Sequence, residues 1–173
     1  ELRTRGTRNG NADYSETYVG NAYVTDSVSL FNNRLKILGG ARYVRIRSQA
    51  TSITGQKIGL KNDQSRNGYQ LGAVFDVVKD VALFANTATA FNPNGTDPNN
   101  TGQFLPPEDS KAFEVGVKLI DLWRGKISGT LSYYDIRKRN VVNSDFNPVL
   151  FRAVSEITDQ QARGFDAELF SGQ

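Results

Sequence analysis

Apolar side chains recur at every second residue in several segments of this chain, each about ten residues long. Leu71, Ala73, Phe75 and Val77 share one side of such a segment, and Gly72 and Asp76 lie on the other. A turn at Lys79-Asp80 leads into a second segment, 81–91, so 68–78 and 81–91 read as a hairpin. The same period predicts strands at 14–30, 35–47, 111–120, 126–138 and about 162–171. Asn32-Asn33 supplies another tight turn, because Asn tolerates positive φ. The other connections, 48–67, 92–110 and 139–158, are long and polar, and 1–13 reads as the end of a loop. About seven strands are therefore expected, with short turns at one end and long loops at the other.

The two faces differ sharply. Tyr18, Gly20, Ala22, Val24, Val28 and Leu30 share a side, as do Ile37, Gly39, Ala41 and Tyr43. Arg42, Asp76, Glu114, Lys118, Asp166 and Glu168 point the other way. A ten-residue strand rising ~3.3 Å per residue at ~45° tilt spans roughly 24 Å, close to the ~25 Å apolar band of a membrane barrel. The expected fold is all-β, an antiparallel up-and-down transmembrane β-barrel segment. Periodicity alone fits a soluble or cell-surface β-sandwich equally well, with the apolar side buried against a second sheet.

Composition narrows the chemistry. No run of about 18 apolar residues exists, so no transmembrane helix is expected. His, Cys and Met are absent, which removes Ser-His and Cys-His nucleophile pairs and any Cys/His zinc site. The carboxylates at alternate strand positions have no base or nucleophile beside them, so no enzyme, cofactor or resident metal is expected. Asp97, Asn99, Thr101, Gly102 and Glu108 have calcium-loop spacing, but Pro106-Pro107 and flanking strands argue for a solvated loop instead. The net charge is +3 and the basic residues are scattered, so no nucleic-acid partner is indicated. The chain begins at Glu1 with neither an initiator Met nor an apolar secretory segment and ends at Gln173 just after a strand pattern, and is read as an internal piece of a longer protein.

Local motifs favour the membrane reading. The stretch Leu105-Pro106-Pro107-Glu108-Asp109-Ser110-Lys111-Ala112-Phe113-Glu114-Val115-Gly116-Val117-Lys118 resembles one found in TonB-dependent outer-membrane receptors, especially those for ferric siderophores. Leu38-Gly39-Gly40-Ala41-Arg42-Tyr43, Leu83-Phe84-Ala85-Asn86-Thr87, Tyr134-Asp135-Ile136 through Asn140-Val141, and Ala162-Arg163-Gly164-Phe165-Asp166-Ala167-Glu168 resemble further strands of that family, in the family's order. The resemblance implies a barrel of roughly 22 strands around a plugged lumen. Residues 1–173 would be one partial barrel domain, without the plug domain or the terminal strands. It also implies import of a ferric siderophore across the bacterial outer membrane. The partners would be outer-membrane lipid and, through the missing plug, the TonB energy-transducing complex.

Candidate site residues lie near the outer strand ends. Phe91 and Phe104 flank the loop 92–110, where aromatics can stack on a ligand or serve as membrane-girdle residues. Arg45, Arg47, Arg137 and Lys138 form a basic rim. They could attract an anionic ferric complex or lipopolysaccharide phosphate, or simply be solvated above the bilayer. Trp123, Tyr18, Tyr43 and Tyr133 are expected in the girdle or on the lipid face.

Overall fold

The computed structural model describes residues 2–5, 13–52, 57–94, 105–125 and 127–171. Eight strands follow one another: β1 (Leu2–Arg5), β2 (Asp13–Leu30), β3 (Leu35–Ser52), β4 (Lys57–Val78), β5 (Val81–Asn92), β6 (Glu108–Asp121), β7 (Ile127–Asn147) and β8 (Arg152–Ser171). A single helical turn, α1 (Leu122–Gly125), joins β6 to β7. The strands form one antiparallel sheet in sequence order, β1 to β8, with no crossover. This is the up-and-down meander that alternating short and long connections imply.

Strand pairing carries the two-faced pattern across the whole sheet. One apolar rung runs through Leu30, Leu35, Phe75, Leu83, Val117, Leu131 and Ala167, each opposite the next. A polar rung runs through Asp76, Ala82, Lys118, Thr130 and Glu168 on the opposite side. Directly paired residues share a face, so a single inside-out assignment holds from β2 to β8.

No second layer covers the apolar side. Phe75, Val115 and Leu131 are 38%, 41% and 55% exposed, and no large side chain is fully buried among the described residues. A soluble sandwich would seal these groups, so the sandwich reading is set aside. Water is a poor solvent for so continuous an apolar surface, whereas hydrocarbon is a suitable one.

The short turns are braced together. Phe31, Asn32 and Asn33 all take positive φ, which brings Leu30 directly opposite Leu35. Arg34 reaches the next turn, where its Nε donates to Asp76 O at 3.2 Å and its Nη2 to Val77 O at 2.7 Å. Its guanidinium also lies over the Phe75 ring, 5.5 Å from the centroid. On the polar side, glycines accommodate aromatic rings. A Cβ on Gly116 would sit 2.7 Å from the Phe84 ring and 2.5 Å from Leu131 O.

The long connections depart from expectation. β3 continues to Ser52 and β4 starts at Lys57, so most of the expected loop 48–67 is paired strand. Likewise β7 and β8 pair from Asn147↔Arg152 downwards, so the expected loop 139–158 is a hairpin with a tip at residues 148–151. Residues 2–5 of the expected N-terminal loop are strand β1. Pattern reading stops where apolar alternation stops, but antiparallel backbone pairing needs no apolar face once it is in water. Asn147 Oδ1 closes the outer tip by accepting from Val149 N at 2.9 Å and Leu150 N at 3.1 Å. A strand of about 20 residues exceeds the 9–11 a bilayer requires, so these hairpins stand well clear of the membrane.

Candidate functional site

The basic rim divides between the two sides of the sheet. Arg45 stands opposite Gly20 and Ser65, and Arg47 opposite Tyr18 and Asp63, so both project from the apolar side just beyond Tyr43. Asp63 collects them. Arg45 Nε and Nη2 donate to its two oxygens at 2.9 Å each, while Arg47 Nε and Lys61 Nζ approach Oδ2 at 3.3 and 3.7 Å. Ten to twelve residues outward from Leu35, at ~3.3 Å per residue and ~45° tilt, the cluster stands about 23–28 Å above the inner turns, at or beyond the outer edge of the apolar band. The Arg45 hydrogen bond, helped by the charges of Arg47 and Lys61, holds the Asp63 carboxyl down at about 2.

Arg137 also projects from the apolar side. Its Nε and Nη2 donate to Asp135 at 3.2 and 3.0 Å, and Gln161 Nε2 donates to the same carboxylate at 3.0 and 2.9 Å. Lys138 does not join it. Its register partner is Ser110 on the polar side, where its Nζ lies 3.2 Å from Glu108 Oε1. Four rim residues contiguous in chemistry thus become three outward-facing groups and one inward-facing group, because alternation decides the side.

Phe91 shares the outward side with Arg137 by register, and both line an opening in the sheet. The β4–β5 ladder ends at Gln70↔Ala88, and above it Arg66 reaches over β5 to Asp109 on β6 at 3.3 Å. The hollow there, about 430 Å³, is lined by Arg42, Arg66, Phe91, Asp109, Arg137 and Arg139 among others. Phe104, and the 97–102 part of the calcium-like spacing, lie outside the described residues. Glu108, the last member of that spacing, is engaged with Lys138.

Sequence reading gave no anchoring role to two asparagines that hold the outer loop's ends. Asn94 Nδ2 donates to Pro106 O at 2.6 Å and to Asn140 O at 2.9 Å. Asn140 Nδ2 donates to Pro107 O at 2.9 Å, and its backbone N–H donates to Asp159 Oδ1 at 3.2 Å. Asn140 takes φ 57° where the β7–β8 register shifts between Lys138 and Val141. A signal was available, since Asn is the side chain most at ease with positive φ inside a strand pattern. Gln64 Nε2 adds a contact to Leu105 O at 3.4 Å.

The inward side is polar and carries both charge signs. Asn86 Nδ2 donates to Glu114 Oε2 at 3.0 Å across β5 and β6. Arg42, Asp76, Glu114, Lys118, Asp166 and Glu168 all share this side by register, as the alternation predicts. Higher up, a hollow of about 550 Å³ lined by Tyr23, Arg42, Gln70 and Ala88 among others opens on the same side. Such a wall can bind by many weak polar contacts. Among the described residues no cluster of three or more His, Cys, Asp or Glu could hold a metal.

Comparison with known proteins agrees with this geometry. The family described as "TonB dependent receptor-like, beta-barrel" matches residues 3–173. The metal-pseudopaline receptor CntO of Pseudomonas aeruginosa strain UCBPP-PA14 is 35% identical over 151 residues, which is 83% of this chain and 20% of that protein. An uncharacterized TonB-dependent receptor of Haemophilus influenzae is 28% identical over 148 residues, 83% of this chain and 41% of that protein. Among solved structures, the ferripyoverdine receptor of the Pseudomonas aeruginosa outer membrane superposes with a TM-score of 0.72 at 19% identity, over 92% of this chain and 21% of that one. The ferric preacinetobactin receptor of Acinetobacter baumannii gives 0.67 at 19%, over 92% and 23%. These relatives are transport receptors rather than enzymes, and this chain spans about a fifth of the length of CntO. The chain belongs to the TonB-dependent receptor family of bacterial outer-membrane proteins, as part of its β-barrel.

Proposed function

We propose that residues 1–173 form adjoining wall strands and outer hairpins of a receptor that imports a chelated metal ion, with a ferric siderophore as the expected cargo. One observation carries the reading: 35% identity over 151 residues with a receptor whose cargo is a metal chelate. The sheet is suited to that role, with an apolar outside, a polar inside and long hairpins reaching beyond the membrane. The loop anchored by Asn94 and Asn140 stands beside the hollow lined by Arg42, Arg66 and Phe91, where the inward-facing guanidinium groups of Arg42 and Arg66 and an aromatic edge can meet an anionic chelate. Phe104, in the same loop, is the second aromatic of this reading. Energy for release into the periplasm would come from the TonB complex, acting on a plug domain within the barrel.

The test is uptake by the whole receptor in cells lacking other import routes. Ferric siderophores and chelates of nickel, cobalt and zinc are supplied separately with radiolabelled metal. One of them should accumulate, and deletion of residues 92–110 should abolish that uptake while the barrel still reaches the outer membrane. If no metal chelate of any class is taken up, the cargo assignment is wrong. Undiminished uptake after the deletion removes the loop from the site.

A further inference from the structure

The outer part of the β7–β8 hairpin turns apolar residues away from the barrel, and one extra residue in β7 brings this about. Below Lys138 the odd residues of β7 face outward, with Tyr133, Asp135 and Arg137 opposite Phe165, Arg163 and Gln161. Arg139 and Asn140 then stand against Asp159 alone, and Asn140 takes φ 57°. Such a bulge swaps the sides of the residues beyond it. β8 alternates without interruption, so Ile157 stays on the side of Phe165 and its partner Val142 lies outward with it. Phe146, opposite Ala153, follows, while Asp145 turns inward opposite Val154. Without the extra residue Asp145 would face out and Phe146 in.

The tip completes an apolar patch. Phe151 meets Phe146 edge-on, with ring centroids 6.4 Å apart and planes at 85°. It holds φ 48°, an unfavourable conformation for so bulky a side chain, and that strain sets its ring beside Phe146. Phe146, Val149 and Phe151 are 64%, 86% and 83% exposed, on a turn that the Asn147 side chain fixes.

Neither lipid nor cargo covers this patch. At ~3.3 Å per residue and ~45° tilt, Ile157 and Phe146 lie about 30–45 Å above the inner ends of their strands, beyond the ~25 Å apolar band. Asp159, Gln161 and Arg163 separate the patch from lipid-facing Phe165, so a polar zone divides two apolar ones. Cargo passing through the barrel is on the other side of the sheet.

We propose that the patch docks against the same patch on a second copy of the receptor in the same membrane. Copies in one membrane share height and orientation, so a twofold axis along the membrane normal sets identical outward hairpins face to face. The outward register positions Val142, Ser144, Phe146, Ala153, Ser155 and Ile157 carry no charge, so the approach of a twin meets no like-charge repulsion there. With ~200 Å² per aromatic side chain, the exposed groups offer roughly 500 Å² per copy, and a pair would bury roughly 1,000 Å². That is the low end for partners free in solution, and confinement of both copies to one membrane raises their effective concentration enough for such a contact to form. The inference rests on which side of the sheet faces out and not on which chelate is imported.

The experiment uses the whole receptor in intact cells at its native expression level, without added chelate. Residues 1–173 contain no Cys, so Ile157→Cys, in a receptor free of other cysteines, adds a single thiol on the patch. A short, membrane-impermeant bis-maleimide should link two such receptors into a dimer-sized product on a denaturing gel. Glu156→Cys, the inward-facing neighbour at the same height, should give at least tenfold less product at equal labelling by a maleimide dye. Adding Phe146→Ser and Phe151→Ser to Ile157→Cys should lower the product at least tenfold. Adding Phe151→Gly instead, which suits φ 48° and spares the hairpin, should lower it at least threefold, and serves as the readout should the double change disturb folding. Absence of a dimer-sized product, or as much product from Glu156→Cys, overturns the proposal. So does a product unchanged by loss of the rings, which would reflect chance collisions. Linkage only to proteins of other mass would assign the patch to a different partner and overturn it as well.

Discussion

Val115 and Glu114 are neighbours in sequence on opposite sides of β6, and the same substitution at each should give very different results. Val115 lies six residues from the inner end of β6 at Asp121, with Ala85 and Tyr133 opposite it on β5 and β7. Six residues at ~3.3 Å and ~45° tilt place it about 14 Å above that end, near the middle of a ~25 Å apolar band. Val115→Arg should then cost about 2–4 kcal/mol, the penalty for a lipid-facing arginine at mid-depth. That lowers the folded-to-unfolded ratio roughly 30- to 1,000-fold. Glu114→Arg puts the same group on the watery side, where it loses the exposed hydrogen bond from Asn86 and should cost about 1 kcal/mol or less. The assay is urea titration of the whole receptor folded into lipid vesicles, with the folded fraction read by gel mobility. Equal penalties, or a larger one at Glu114, would refute the orientation of the sheet and everything built on it.

Other substitutions test local geometry. Gly116→Ala should destabilise by about 1–3 kcal/mol, because its Cβ would press on Leu131 O at 2.5 Å and backbone cannot give way, whereas Gly20→Ala should be nearly silent in the same titration. Asn140→Ala removes the amide that holds Pro107 O and puts a Cβ-only side chain at φ 57°. The outer loop should then exchange amide hydrogens faster while the membrane-embedded strands are unchanged. Asp63 should titrate near pH 2 by carbon-detected NMR, and Arg45→Gln should raise that midpoint. A carboxyl lowered in the folded state stabilises fully above its unfolded pKa of about 4, so the benefit should fade only as pH falls from about 4 through 2.

Alternation in the sequence determined more than strand positions. Within β6, Phe113, Val115 and Val117, spaced by two residues, could only share a side, and Glu114, Gly116 and Lys118 could only share the other. The strands, their two unlike faces and the short turns at Asn32-Asn33 and Lys79-Asp80 followed from that period together with the residues that tolerate turns. The family resemblance settled what periodicity left open between membrane and sandwich.

What the tertiary structure alone decided concerns register. Arg137 and Lys138 are adjacent in sequence, yet one faces out to Asp135 and the other in to Glu108. Which side of the sheet Arg45 faces depends on its being opposite Gly20 and two steps beyond Tyr43, a relation between strands that no single strand encodes. Hairpin length was likewise hidden, because outside the bilayer the backbone ladder of β7 and β8 holds without any hydrophobic period to announce it. Asn94 and Asn140, 46 residues apart, meet because β5 and β7 flank β6 in the sheet, and the hydrogen bond between them exists only once that order is built. Side-chain period is a local property and can be read from the chain. Pairing is a property of two strands at once, and only the folded sheet determines it.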